Sequence, residues 1–387
     1  MAKGLNMSSL RGINRGLVLQ LLATGACDTR IEIAKKSRLT KMAISKIITE
    51  YIKMGIIEES SGQTRATRSA PIHLSLTAKA PKVLGLLIHR TRCQAAVCDL
   101  SMRIIDARSV ELPESYTDSF LLESLFSLTD PLLLQHPDVV GIGIGSIGPV
   151  DSHSGTILNP PHFQNIRNLC VRDIFKEHYQ LPVFVDHHYN CAALAETYYG
   201  SGKDHKNLLY LGIGDGISMG VICGDRLFSS YNGYSSEIGH VTVDCNGPLC
   251  SCGKHGCLSV YARPAQIVRK VRQSPLIARD MTFQEICDDS TRPAIDQILM
   301  NQMITPLVYA LSSAVNLLNP DLILLGDEAT LLPDRYLGYL EQQLNKVIFT
   351  HDYHHVSVCR AALSQEYNAA MCASTVLDEI FRGRLVL

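Results

Sequence analysis

The 387-residue sequence has no run of about 18 uncharged apolar residues, so a membrane-spanning helix is not expected. Its first residues, MAKGLNMSSLRGINRG, lack the apolar core of a secretion signal, which argues against export. Without an export signal, the 13 cysteines read as cytosolic thiols and metal ligands rather than as a disulfide framework. The expected location is the cytoplasm. What is present is an ordinary soluble composition, 46% hydrophobic and 19% charged, with a mean hydropathy of +0.08. A chain of this length has room for about two or three domains.

The net charge is only −1, but it is unevenly spread. Residues 1–80 carry 13 Lys and Arg against 5 Asp and Glu, while the remainder carries 23 against 32. A basic module that meets a polyanion, attached to a body that does not, fits this asymmetry. Within the module, residues 14–24 place Leu17, Leu19, Leu21 and Leu22 at helical spacing, and TRIEIAKKS forms a short amphipathic segment. TKMAISKIITEYIKMG then starts on Thr40, a good N-cap, and ends before Gly55. Its Ile44, Ile47, Ile48, Tyr51 and Ile52 lie on one face.

That order predicts a helix-turn-helix whose last helix enters a major groove with Thr40, Lys41, Met42, Ser45 and Lys46 outward. Two short strands follow, Ile56–Ser60 and Ile72–Leu76. The loop joining them is the expected wing, with Arg65 and Arg68 set for phosphate or the minor groove. The alternative is a three-helix cap whose charged face is merely solvated. Charge, helix order and an Arg-bearing hairpin together favour double-stranded DNA.

From Lys82 onward, strands, Gly-rich turns and helices alternate in two halves, which points to an α/β body of two lobes. The expected domains are 1–80, 81–195 and 196–387. Here SSEIGH followed by CSCGKHGC resembles the ROK family, and the resemblance spans essentially the whole chain. It implies a winged helix-turn-helix on a two-lobed body with the actin-like ATPase fold of ROK sugar kinases. Members with the N-terminal head are sugar-responsive repressors; those without it are mostly kinases.

The kinase motifs depart from that family pattern. The first phosphate loop of its kinases resembles Gly-x-Asp-x-Gly-Gly-Thr, but Gly85–Thr91 puts Leu87 at the Asp and His89 and Arg90 at the glycines. Phosphoryl transfer depends on metal-neutralised phosphates and close N–H contacts, which Leu87 does not supply. His188 stands where the family's catalytic Asp would be, and Asp215 puts a negative charge in the second phosphate turn. No catalytic residue is therefore assigned.

The resemblance also maps an effector site onto Gly148, His187, His188, Glu237, His240 and Ser259. Of the family's sugar contacts, Glu237 and His240 match and the loop holding Gly148 is intact. His187, His188 and Ser259 do not match. Either a small carbohydrate of altered type binds there, or the body is only a scaffold. His240, Cys250, Cys252 and Cys257 would give one nitrogen and three thiolates, a closed tetrahedral set that suits structural Zn2+ and leaves no open position for a water nucleophile. Their spacing matches the zinc motif implied by the resemblance; free buried thiols are the alternative. Cys223 and Cys245 fall outside the pattern.

The expected function is a homodimeric or homotetrameric repressor of carbohydrate genes, its heads on a palindromic operator and a small carbohydrate effector changing their spacing. A sugar kinase with an appended head, and a regulator controlled by a protein partner, are the alternatives.

Overall fold

The computed structural model describes residues 7–61, 72–161, 163–164, 166–228, 230, 233–234, 236–277, 279–363 and 368–387. Arg65 and Arg68 lie outside these residues. In the head, α1 (Met7–Ala23), α2 (Arg30–Ser37) and α3 (Lys41–Lys53) precede β1 (Ile57–Ser61) and β2 (Ile72–Leu76), which pair antiparallel. Thr29 and Thr40 cap the second and third helices: their hydroxyl oxygens accept the N–H groups of Glu32 and Ala43. Arg38, at φ 59°, stops α2. Ile44, Ile47, Ile48 and Tyr51 of α3 are buried, as are Ile33 of α2 and Val18 and Leu19 of α1. β2 also bridges the extended backbone before α2, where Leu74 N–H donates to Asp28 O at 2.7 Å.

The chain divides into two compact units, Met1–Cys191 with Tyr367–Leu387, and Ala192–Glu366. The first contains β3 (Lys82–Ile88), β4 (Arg92–Cys98), β5 (Ile104–Glu111), α4 (Asp118–Gln135) and β6 (Val139–Ser146). A small sheet of β7 (Val150–Asp151), β8 (Thr156–Ile157) and β9 (Leu169–Cys170) follows, then α5 (Val171–Tyr179) and β10 (Val183–His187). The main sheet runs β10-β6-β3-β4-β5. β6 and β10 lie parallel to β3, whereas β4 runs antiparallel to β3 and β5 antiparallel to β4. β3 and β6 are buried along almost their whole length, which explains their unbroken apolar runs. α6 (His188–Tyr199) starts directly on the end of β10 and carries the chain into the second unit.

There, β11 (Leu208–Ile213), β12 (Ile217–Cys223) and β13 (Arg226–Leu227) lead to α7 (Ser259–Ala262), α8 (Pro264–Arg272), α9 (Phe283–Asp288), α10 (Pro293–Leu299) and α11 (Thr305–Leu318). β14 (Leu322–Asp327), α12 (Asp334–Val347) and β15 (Ser357–Arg360) complete the unit. Its sheet order is β13-β12-β11-β14-β15, with β14 and β15 parallel to β11 and β12 antiparallel to it. The two sheets thus repeat one topology. The helical stretch Pro293–Leu318 is long and apolar enough to span a bilayer by composition, but it is a core helix: Leu299, Met303, Leu307, Leu311 and Val315 are buried in this unit's apolar cluster.

The last helix, α13 (Asn368–Phe381), corrects the expected lobe boundaries of 81–195 and 196–387. It belongs to the first unit, packed on β3 and β6, and the crossing comes at Cys191 rather than residue 195. Glycines make the seat. A Cβ on Gly85 would stand 2.8 Å from Ala373 N, and one on Gly143 2.5 Å from Thr375 Oγ1. The helix is buried nearly all round, as its run of small and apolar residues, Ala369–Ala373, and its later Val376, Leu377, Ile380 and Phe381 allow.

Candidate metal centre, effector residues and DNA-binding face

His240 ends a single 3-10 turn, Ile238–His240, and the chain then doubles back on itself. Leu258 N–H donates to Val241 O at 2.9 Å, Cys250 N–H to Lys254 O at 2.8 Å and Gly256 N–H to Pro248 O at 2.8 Å. Gly253 and Gly256 take φ of 89° and 61°, and a side chain on Gly256 would collide with the Asp244 carbonyl. These turns gather His240, Cys250, Cys252 and Cys257, whose donor atoms all lie within 4.8 Å of one another. Cys250 Sγ is 3.5 Å from His240 Nδ1, and Cys252 Sγ is 3.6 Å from Cys257 Sγ. Tetrahedral zinc with Zn–S bonds of ~2.3 Å sets thiolates ~3.7 Å apart, so the donors are close to the spacing the ion demands.

Burial, followed by Lys254 and Arg263, keeps the His240 imidazole below its usual range and so in the neutral form that ligates metal. The Lys254 backbone N–H lowers the Cys252 thiol, while burial pushes Cys257 up to about 12. Neighbouring thiols resist ionising together; a cation among them removes that resistance. Cys223 and Cys245 stand outside this group.

The expected effector residues fall on both units. In the first, β6 and β10 run parallel with Ser146 opposite His187, so Gly148, His187 and His188 come to one end of the sheet. His188 Nδ1 lies 3.1 Å from Ser146 O, and Tyr189 N–H donates to His187 Nδ1 at 3.2 Å. The two imidazoles are 4.5 Å apart between ring centres. Burial, then Arg90, lowers His187 to about 3. Burial and His187 itself take His188 well below its ordinary value. Both rings are therefore neutral near pH 7. Asp186 beside them is raised to about 6 by burial, although Asn190 and the His187 N–H donate to its carboxylate at 2.7 Å.

In the second unit, Glu237 is exposed and precedes the metal turn, its carbonyl accepting His240 N–H at 3.0 Å. Ser259 is buried at the start of α7, with its hydroxyl against Gly239. The turn from β11 to β12 carries Asp215, and β14 ends on Asp327, opposite Ile213. Glu328 follows and is raised to about 7, chiefly by burial and then by Asp327 and Asp215. Asp215, Asp327 and Glu328 thus lie near one another at one end of this sheet. Leu87 is buried on β3.

On the head, Thr40, Lys41, Met42, Ser45 and Lys46 are exposed at the start of α3, Met42 at 85%. The Thr40 hydroxyl is already engaged as the helix cap. Lys35, Lys36 and Arg38 are exposed beside them and escaped the sequence reading; the charged end of TRIEIAKKSR was the available signal. Two other head cations are engaged by partners within the protein. Arg30 pairs with Glu59 at 2.7 Å and donates to Ser45 O, while Arg11 pairs with Glu50 at 2.6 Å. Among the described residues, Lys35, Lys36, Arg38, Lys41 and Lys46 thus form an exposed basic run across the end of α2, the turn and the start of α3.

A model of the ROK family matches residues 83–379. The chain is 26% identical over 392 residues to a putative xylose repressor of Caldicellulosiruptor sp. (strain Rt8B.4), covering 97% of this chain and 98% of that protein. It is 26% identical over 351 residues to the DNA-binding transcriptional dual regulator NagC of Escherichia coli (strain K12), covering 88% and 86%. Among solved structures, it is similar to a ROK family transcriptional regulator described as a homologue of the E. coli MLC protein. That similarity has a TM-score of 0.81 at 23% identity, over 97% of this chain and 98% of the other.

Proposed function

The chain belongs to the ROK family, and from that premise we propose that it is a DNA-binding transcriptional repressor of carbohydrate-metabolism genes. A sugar or sugar derivative, held by residues of the body, sets its grip on the operator. The observation that carries this reading is the head: two capped helices joined by a tight turn, with Lys35, Lys36, Arg38, Lys41 and Lys46 exposed together. Cations so placed suit phosphates on either side of a groove, and Met42 and Ser45 between them suit base edges. Residues 1–80 form the DNA-binding domain, and Arg65 and Arg68 extend its contacts. The protein acts in the cytoplasm as a homodimer or homotetramer on a two-fold operator.

The fit of donor type and spacing at His240, Cys250, Cys252 and Cys257 supports a resident Zn2+ with a structural role. With four protein ligands the ion would brace the loop that carries His240 and follows Glu237. Gly148, His187, His188, Glu237, His240 and Ser259 make up the effector residues. Neutral imidazoles can both donate to and accept from hydroxyl groups, which suits an uncharged polyol better than a cation. Leu87, His188 and the carboxyl groups of Asp215, Asp327 and Glu328 speak against phosphoryl transfer, so no enzymatic activity is assigned.

The decisive experiment is a ligand panel read out as release from DNA. Duplexes selected by the full-length protein are challenged with D-xylose, N-acetyl-D-glucosamine, D-glucose and their phosphates. Release by one sugar and not by its epimers is the expected result. Tight DNA binding that no member of the panel alters would remove the sugar from this reading and favour control by a protein partner.

A further inference from the structure

The head meets the rest of the first unit along a seam with bare backbone on both sides. Gly12 and Gly16, one turn apart on α1, face the end of α13 and the residues after it. A Cβ on Gly12 would stand 2.9 Å from the Gly383 carbonyl oxygen; one on Gly16 would stand 2.6 Å from that of Ile380 and closer still to that of Phe381. Gly383 itself takes φ 67°, and a Cβ there would lie 2.5 Å from Ile13 N. Cβ atoms essentially never approach other atoms within 3.0 Å, so none of these positions admits a side chain without movement. The carbonyls cannot easily retreat. Arg382 Nε donates to both Asp378 oxygens at 2.7 and 2.8 Å, and Arg384 reaches Asp378 at 2.9 Å and Glu379 at 2.6 Å, which ties down the turn that presents them.

Each helix of the seam is bound to a functional element. α1 holds α3: Tyr51 Oη donates to Arg15 O at 3.0 Å, the Arg15 guanidinium lies 5.1 Å from the Tyr51 ring centre, and Arg11 pairs with Glu50. α13 lies on Gly85 of β3 and Gly143 of β6, the strands whose far ends lead to Arg90 and Gly148. We propose that Gly12, Gly16 and Gly383 are positioning residues that seat α1 on α13 in one register, so that the DNA-binding head moves with α13 as one body. Direct backbone contact leaves no side chain to absorb a shift of α13. A displacement at the strand ends therefore reaches α3 rather than dissipating in a soft interface. The proposal rests on the repressor reading above, with two heads on one operator.

The test uses the full-length protein. Wild-type protein selects duplexes from a random pool, and fluorescence anisotropy measures its affinity for the selected two-half-site duplex and for a single half-site. Gly16→Ala and Gly12→Ala are compared with Gly338→Ala on α12, where an added Cβ meets open space. The seam variants, with wild-type circular dichroism and zinc content, should keep half-site affinity while losing roughly tenfold or more on the paired site, or should select a different half-site spacing. A merely destabilised head would lose both affinities together. An unchanged ratio of paired to half-site affinity in folded Gly12→Ala and Gly16→Ala overturns the proposal, and so does equal loss of both. Gly12→Ala, with its single 2.9 Å carbonyl contact, decides the matter where Gly16→Ala does not fold. Failure of the wild type to select any duplex would instead bring down the repressor reading itself.

Discussion

Arg30 and Lys46 are cations of α2 and α3 in the head, yet their surroundings give them different work. Arg30 is spent on Glu59 and the Ser45 carbonyl, and its replacement by Ala should lower the head's stability by ~0.5–1 kcal/mol, the range of a partly exposed pair, with little effect on the salt dependence of DNA binding. Lys41→Ala and Lys46→Ala should weaken binding almost equally across sequences and reduce the slope of log affinity against log salt by about 1 each. A salt titration of the three variants separates these roles. His187 supplies a second expectation. Its folded imidazole resists protonation down to about 3 because of burial and Arg90, and His188 behaves alike because of burial, His187, His89 and Arg90. Unfolded imidazoles take up a proton near ~6.5, so the stability is complete above that pH and is lost as the pH falls toward the folded value, by up to ~1.4 kcal/mol per unit per ring. Asp186 acts in the opposite sense, gaining stability as the pH falls from about 6 toward its unfolded value, but one carboxyl opposes two rings. The urea midpoint should therefore drop between pH 7.5 and 5, and His187→Gln should flatten that drop.

At the level of elements, the metal loop and α13 show what local sequence carries and what it does not. The loop's ligands are near neighbours in the chain, and their donor chemistry and spacing are local facts, so His240, Cys250, Cys252 and Cys257 could be grouped before any fold was known. If zinc holds this loop, a purified chain should contain about one zinc ion, and a strong chelator or Cys250→Ser should lower the melting temperature and release it, as mass spectrometry of the metal would show. A metal-free chain of full stability would leave the thiols as ordinary free cysteines. The helices of the head were equally legible, since caps at Thr29 and Thr40 and the apolar face of α3 lie within single segments. The seat of α13 was not. Its sequence says only that it is a helix of mostly small and apolar residues, while its place depends on Gly85 and Gly143, which match Ala369, Cys372 and Ala373 far along the chain. The cations Lys35, Lys36 and Arg38 were visible as a charge run, but their alignment with Lys41 and Lys46 required the αL turn at Arg38.

Across the whole molecule, two units repeat one sheet topology, and on the reading proposed above the side chains at their strand ends are unsuited to phosphoryl transfer. Close approach of phosphate oxygens needs glycine N–H groups and positive charge. In the first unit, β3 runs through buried Leu87 into His89 and Arg90, with no glycine at those three positions. In the second, Asp215, Asp327 and Glu328 gather at the ends of β11 and β14, and Glu328 is raised to about 7, first by burial and then by Asp327 and Asp215. Arg263 reaches that turn, but its guanidinium donates to the carbonyls of Ser259 and Asp215. On that reading, a magnesium nucleotide meets repulsion where it needs clamping. Mg-ATP and Mg-ADP should accordingly give no thermal shift, and a coupled assay over the same sugar panel should show no turnover near the ~1–100 s−1 typical of kinases. Raising the pH from 6.5 to 8 should not help, because it ionises Glu328 more fully and deepens the repulsion. Clear ATP consumption that survives purification to homogeneity, and is lost in His188→Ala, would show that a histidine serves as base in a working phosphotransfer site.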